Sequence, residues 1–356
     1  MIENTQQMNQ LTGSQAELAA YLSNNYVDLA SARVDGKALS CSDDFFAEME
    51  NLLEAGRGVF IDDKYTDRGK WMDGWESRRS YGRGFRLESG LDYDWCVIRL
   101  GMSGRIKGFD IDTNYFRGNA PQLVAVEACN SKEEPSEQTQ WTNVLDKTSV
   151  VPHSQNIFAM KNDNIWTHVR LRMYPDGGIA RFRVYGEVVV NWDESKKDEL
   201  VDLAFIKNGA KALLVSDMFF SDKNNLIMPE RGKDMGDGWE TKRRRDPGPD
   251  WSIIKLATEG TVEQIIIDTC HFKGNFPDTF SLEGTVSGDD DFTDLSDKND
   301  RRNWQLIVDK TKLSADKEHY FSEEILVDKL TTFTHLRLSI YPDGGVSRMR
   351  VLGHRK

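Results

Sequence analysis

The chain has 356 residues, room for about two domains of ordinary size, and its 38% apolar and 29% charged content is that of a folded globular protein rather than a disordered one. A formal net charge of −12 argues against nucleic acid as the principal partner, because phosphate binding needs clustered cations. No run approaches the ~20 apolar residues of a membrane span, and the polar start MIENTQQMNQ lacks the basic-then-apolar pattern of a secretory signal, so neither membrane nor export is predicted.

In chain order, the first predicted element is a short N-terminal helix over 14–22, opened by a capping-box pattern of Ser14 and Glu17. Strands follow at 95–100, 105–113 and 122–129. In THVRLRMY, from Thr167, the side chains Val169, Leu171 and Met173 point one way and His168, Arg170, Arg172 and Tyr174 the other. The next four residues, PDGG, combine proline with glycines that accept positive φ. Ala180, Phe182 and Val184 then alternate with Arg181, Arg183 and Tyr185, which predicts a β-hairpin with one apolar and one arginine-rich face. The polar stretch NWDESKKDEL (191–200) is a predicted linker, and after it the pattern begins again.

The second half repeats the first. SDDFFAEMENLL from Ser42 answers SDMFFSDKNNLI from Ser216, DGWESRR answers DGWETKR, and DWCVIRLG answers DWSIIKLA. IDTNYFRGNAP from Ile111 answers IDTCHFKGNFP from Ile267, and Trp141 with VLDKT answers Trp304 with IVDKT. The block 167–186 is identical to 334–353 at 13 of 20 positions. Each copy is too long for a solenoid unit and is therefore a domain. The expected division is an N-terminal segment 1–24, a first repeat 25–190, the linker 191–200 and a second repeat 201–356. Short strands with turn signals between them predict antiparallel β-sandwiches. The charged stretches SKEEPSEQTQ and SGDDDFTDLSDKNDRR fall at the same place in the two copies and are expected surface loops. Cys41, Cys96, Cys129 and Cys270 face Val215, Ser252, Thr285 and Asn114 in the other copy, so no disulfide was duplicated, and free thiols in a reducing cytoplasm are expected.

Three constellations could carry chemistry. The DGWE block places Asp73, Glu76, Arg78 and Arg79 together, with Asp237, Glu240, Lys242 and Arg243 in the second copy; an arginine can clamp a carboxylate while a carboxyl group moves protons. Alternatively the block is a tryptophan-anchored loop whose charges pair with one another. The IDT block brings Asp112 and Asp268 to a strand end, with Asn119 and Asn275 in a turn. Here the copies differ, Tyr115 and Arg117 against His271 and Lys273, and histidine titrates near neutrality where tyrosine does not. The arginine rows of the predicted hairpins are read as a solvated face, partners of the acidic surplus or an interface. HExxH, paired CxxC, GxxxxGK and GxSxG motifs are absent and the six histidines are dispersed, so acyl-enzyme chemistry and a zinc site are not predicted. No cofactor is called for, although carboxylates with His271 could hold a weakly bound divalent ion.

The blocks LASARVDGKALSCSDDFFAEMENLL, FIDDKYTDRGKWMDGWESRR and IDTNYFRGN, with GDGWETKRRR, DTCHFKGNFPD and two copies of YPDGG, resemble the allantoicase family over almost the whole chain, from about Val27 to Gly353. Position 270 is Cys where the family pattern DTNHFKGNFP has Asn. The resemblance implies two tandem jelly-roll-like, galactose-binding-like sandwiches and an assembly of identical chains. It also implies hydrolysis of allantoate to ureidoglycolate and urea, a C–N hydrolase step in purine and allantoin degradation for nitrogen use. That reaction calls for a cation on the substrate carboxylate, hydrogen bonds to the ureido groups, an acid for the leaving nitrogen and a base for water. On this reading His271, Glu76 and Glu240 transfer protons, while Arg79, Arg243, Lys273, Asn119, Asn275, Asp112 and Asp268 bind substrate. The complementary residues of the copies suggest a composite site between domains. The alternative is a non-catalytic sandwich that binds carbohydrate or another small ligand. Against it, Trp75/Trp239, Trp95/Trp251 and Trp141/Trp304 lie inside the repeated blocks, where they read as core anchors rather than an exposed sugar platform.

Overall fold

A computed structural model describes residues 13–80, 89–193, 196–292 and 302–356. The chain divides into two compact units, Met1–Val189 and Val190–Lys356. Parts of the predicted N-terminal segment, linker and second charged loop lie outside the described residues. Among those described, no helix is long and apolar enough to cross a membrane.

The first unit opens with a helix, α1 (Gln15–Asn25), whose Ser14–Glu17 capping box is fully formed. It buries Leu18 and Leu22 against Ile157 and Ala159. Two antiparallel sheets follow. One contains β2 (Lys37–Cys41), β6 (Asp94–Asp112), β10 (Ile165–Tyr174), β7 (Leu123–Cys129) and β8 (Thr142–Ser149). The other contains β1 (Val27–Asp28), β12 (Arg181–Val188), the second half of β6, and β9 (Gln155–Ala159). The two strands predicted at 95–100 and 105–113 are thus one strand serving both sheets. Glycines permit the passage: a Cβ on Gly101 would fall 2.0 Å from the carbonyl oxygen of Val34, and one on Gly104 would fall 2.3 Å from that of Glu187. Between the sheets Phe109 stacks on Phe182 at 5.7 Å, with Val169, Leu171 and Met173 buried as their period predicts.

The second unit repeats this plan. β14 (Lys211–Val215), β16 (Asp250–Gly260), β21 (Phe333–Tyr341), β18 (Thr279–Thr285) and β19 (Gln305–Lys312) form one sheet, and β13 (Val201–Asp202), β23 (Arg348–Gly353), β17 (Gln264–Asp268) and β20 (Glu318–Phe321) the other. The fold is all-β, two tandem antiparallel sandwiches.

The predicted hairpin at PDGG is not one. β10 pairs with β6 and β7, whereas β12 pairs with β1 and β6, so the chain crosses from one sheet to the other at Pro175–Gly178, and the same holds at Pro342–Gly345. A sandwich core lies between two apolar faces, and an arch that changes sheets buries both flanking strands better than a hairpin within one sheet. The arginine rows then separate. Arg170 and Arg172 meet Glu127 at 2.5 and 2.6 Å, while Arg181 reaches Asp73 at 2.8 Å. Of the tryptophans, Trp75 and Trp239 are fully buried anchors. Trp141 and Trp304 are half-buried and carry Arg170 and Arg337 on their faces at 4.8 and 4.7 Å.

Candidate active site

The arch builds the site. Its residues Gly178–Ile179 form β11, which pairs with β5 (Trp75–Glu76). On its other side Glu76 bridges Ala47: its N–H donates to the Ala47 carbonyl at 3.0 Å, and its own carbonyl accepts from Phe46 at 3.1 Å. Trp75 locks the element, its ring buried and its Nε1–H donating to the Asp43 carbonyl at 2.9 Å. The short strand that carries Glu76 is therefore held on both edges. The arch also fixes Asn119, whose carbonyl accepts from the Gly178 N–H at 2.7 Å and whose Nδ2 donates to Glu76 Oε1 at 2.7 Å. Both glycines are required: a Cβ on Gly177 would sit 2.6 Å from the Asn119 carbonyl oxygen, and one on Gly178 2.0 Å from the Phe116 ring. Burial pushes the Glu76 carboxyl above its usual range, against the Asn119 hydrogen bond and the Arg79 charge, which pull it down.

Glu76 and Asn119 line an open cavity of 410 Å³ with Phe46, Arg68, Gly69, Lys70, Met72, Tyr115, Arg117 and Gly118. Three of these side chains are cationic, around one carboxyl group. Arg68, Gly69 and Lys70 come from a small hairpin of β3 (Tyr65–Thr66) and β4 (Gly69–Lys70). Arg68 donates to the Phe45 carbonyl at 3.0 Å and covers the Phe45 ring; Lys70 lies over Phe60 and Tyr65, 4.8 Å from each ring centre. This hairpin exists in one copy only. Fourteen residues separate Gly58 from Asp73, and four separate Gly232 from Asp237, so the first copy carries ten more.

In the second unit β15 (Trp239–Glu240) pairs with β22 (Gly345–Val346), Glu240 bridges Ser221, and Asn275 Nδ2 donates to Glu240 Oε1. The carboxyl–amide pair is thus duplicated. Its surroundings are not, because no hairpin covers the counterparts of Phe45 and Phe46. Phe219 and Phe220 are 70% and 61% exposed, where Phe45 is 37% exposed.

The profile described as "Allantoicase repeat" matches residues 27–189 and 201–356. A probable allantoicase of Photobacterium profundum is 45% identical over 332 residues, covering 93% of this chain and 97% of that one. A probable allantoicase of Pseudomonas fluorescens is 46% identical over 330 residues, 92% and 96% of the two chains. The crystal structure of an allantoicase from Saccharomyces cerevisiae superposes with a TM-score of 0.77 at 36% identity, over 98% of this chain and all of the other. The chain belongs to the allantoicase family.

In this allantoicase-family chain the other predicted residues take distinct places. Asp112 is buried, and its two oxygens accept a fork from Arg57 at 2.8 and 2.9 Å; Asp268 accepts the same fork from Arg231 at 2.9 Å. These pairs hold the chain before each DGWE block and do not line the cavity. Arg78 pairs with Asp43 at 2.6 Å, and Arg79 lies largely exposed, 3.1 Å from Asp176 of the arch. Arg243 is exposed. His271 sits in a left-handed turn, its Nε2 2.8 Å from the Gly232 carbonyl oxygen, and Lys273 is exposed, 3.9 Å from Asp316. Sequence reading missed Arg68 and Lys70. A pairwise alignment of the copies exposes their insertion, but only the folded hairpin shows that it lies over Glu76.

Proposed function

We propose that the first unit's cavity is where substrate is cleaved and that Glu76 moves the proton. The chain is a hydrolase that splits allantoate into ureidoglycolate and urea. The central carbon of allantoate carries one carboxylate and two ureido groups, and the bond broken joins that carbon to a ureido nitrogen. No serine or cysteine nucleophile is required, in keeping with the lack of one among the lining residues.

In the proposed course, Arg117, Lys70 and Arg68 attract the substrate carboxylate. Protonated Glu76, favoured by its burial, gives its proton to the leaving ureido nitrogen. The lone pair of the remaining ureido nitrogen expels urea and leaves an N-acyliminium carbon. Water adds to that carbon while the Glu76 carboxylate takes the water proton, which yields ureidoglycolate and restores the acid. Asn119 holds Glu76 through Nδ2 and offers its amide oxygen to a ureido N–H. The role is given to Glu76 rather than His271 because Glu76 lines the cavity and His271 is not among its lining residues. The observation that carries the reading is one half-buried carboxyl pinned beside an amide among three cations. Glu76→Gln keeps the shape and the Asn119 contact in altered form but cannot shuttle a proton, so urea release should fall by ~10²–10⁴-fold. Near-normal turnover in that variant would remove Glu76 from the chemistry.

The four cysteines are free thiols, which supports work in a reducing compartment such as the cytoplasm; a disulfide in protein isolated from its own cells would count against this. Met218, Phe219 and Phe220, exposed at 41%, 70% and 61%, support assembly with further copies of the chain. Serine at 219 and 220 is then expected to lower the mass found by light scattering, and an unchanged mass would clear that patch of the role.

A further inference from the structure

The turn after Asp268 gathers three metal-ligand side chains, where the first copy has only His153 at the corresponding positions. One ligand atom each of Cys270, His271 and Asp316 lies within 4.8 Å of the other two. Cys270 and His271 are neighbours in the chain, and Asp316 is brought to them from the loop before β20. The bracket is built by the backbone. The His271 N–H donates to Asp316 Oδ1 at 2.7 Å, and both residues occupy the left-handed region, φ 71° and 52°. The first unit has the same bracket, with the Tyr115 N–H donating to His153 Nδ1 at 2.9 Å, but there Asn114 and Tyr115 stand in place of the thiol and the imidazole.

The imidazole is already oriented for a ligand. A carbonyl oxygen can only accept, so the 2.8 Å contact with Gly232 places the proton on His271 Nε2 and leaves the Nδ1 lone pair open. Donation of the second ring nitrogen to a carbonyl is how metal-bound histidines are commonly held. We propose that the second unit binds one borderline divalent transition ion, of the Zn²⁺ class, through Cys270 Sγ, His271 Nδ1 and the Asp316 carboxylate, with solvent in the fourth position. A thiolate, a carboxylate and a neutral imidazole supply two negative charges for a dication, and the thiol proton leaves to solvent on binding. Tetrahedral ligands around zinc stand about 3.5 Å apart, so the three groups close by roughly 1 Å. Two cations lie nearby. Arg231 is committed to the Asp268 fork, and Lys273, 3.9 Å from Asp316 and 78% exposed at its side chain, withdraws into solvent.

The proposal is independent of the allantoate cavity and is read by a signal other than activity. Metal-free full-length chain is titrated with Co²⁺, which reports thiolate ligation by a sulfur-to-cobalt charge-transfer band. One equivalent of Co²⁺ should develop the band, and Zn²⁺ should abolish it by displacement. Cys270→Asn, which installs the residue the first copy carries in the same turn, should abolish it while circular dichroism stays unchanged. His271→Ala and Asp316→Asn should weaken Co²⁺ binding by ~10–100-fold. A variant with the other three cysteines changed to serine should retain the band. Folded wild type without a band, or a band that survives Cys270→Asn, would overturn the site.

Discussion

A single buried aspartate shows how the first unit differs from its copy. Asp110 lies on the face of β6 that carries Asp112, accepts from Gln155 Nε2 at 2.7 Å, and leaves Oδ1 buried without a hydrogen bond. Burial, opposed by the Gln155 hydrogen bond and reinforced by the charge of Asp112, pushes its carboxyl up to about 7. Its counterpart is Ile266, so the fold needs no charge there. Because the folded state holds this proton more tightly than the unfolded chain, the associated stability is full below the ordinary carboxylate range and is lost as pH rises through about 7. Asp110→Asn should therefore raise the unfolding free energy measured by urea denaturation near pH 8, by on the order of 1–2 kcal/mol, with a smaller gain near pH 5. An equal gain at both values would mean that titration of Asp110 is not the cause. Glu76, raised by the same physics, is instead kept in reach of solvent, which suits a group that must exchange its proton.

At the scale of elements, two short pieces decide what the sandwich can do. The arch at Pro175–Gly178 carries β11 onto Glu76 and donates its Gly178 N–H to the Asn119 carbonyl, so the PDGG sequence serves the site as well as the turn. The β3–β4 hairpin supplies two of the cavity's three cations. Replacing 59–72 by the four-residue connector KDMG of 233–236 should leave a folded protein, since the second unit closes the same DGWE block that way. Such a chain is expected to lose allantoate affinity by at least ~10-fold while its melting temperature shifts little, because one lost ion pair to a bound carboxylate is worth about 1.5–3 kcal/mol. Substrate affinity unchanged in isothermal titration would show that the hairpin does not bind substrate.

For the whole molecule, duplication has preserved a scaffold and let its loops diverge. Both units keep the carboxyl–amide pair, the buried tryptophan and the arginine–aspartate fork. Only the first encloses its pair under a cationic hairpin. If catalysis resides there, Glu240→Gln should retain urea release within about threefold, whereas Glu76→Gln loses it. Comparable losses in the two variants would mean that both units take part.

The sequence by itself determined the repeat, the strand periodicity, the all-β class and the family, because each of these is carried by local pattern or by matched blocks. It also marked Glu76 and Asn119, although 43 residues apart, because both fall in repeated motifs. What only the tertiary structure decided is pairing. Alternation shows which side chains share a face but not which strand lies alongside, so an arch between sheets looked like a hairpin within one. The alternation also hid the continuity of β6, since two amphipathic runs read alike whether a turn or a glycine-lined bend joins them. In the same way charge alone could not separate Asp112, spent on Arg57, from Glu76, facing a cavity, nor bring Asp316 to Cys270 and His271. Such distinctions rest on through-space neighbours, and those are set by how the two sheets close on their core.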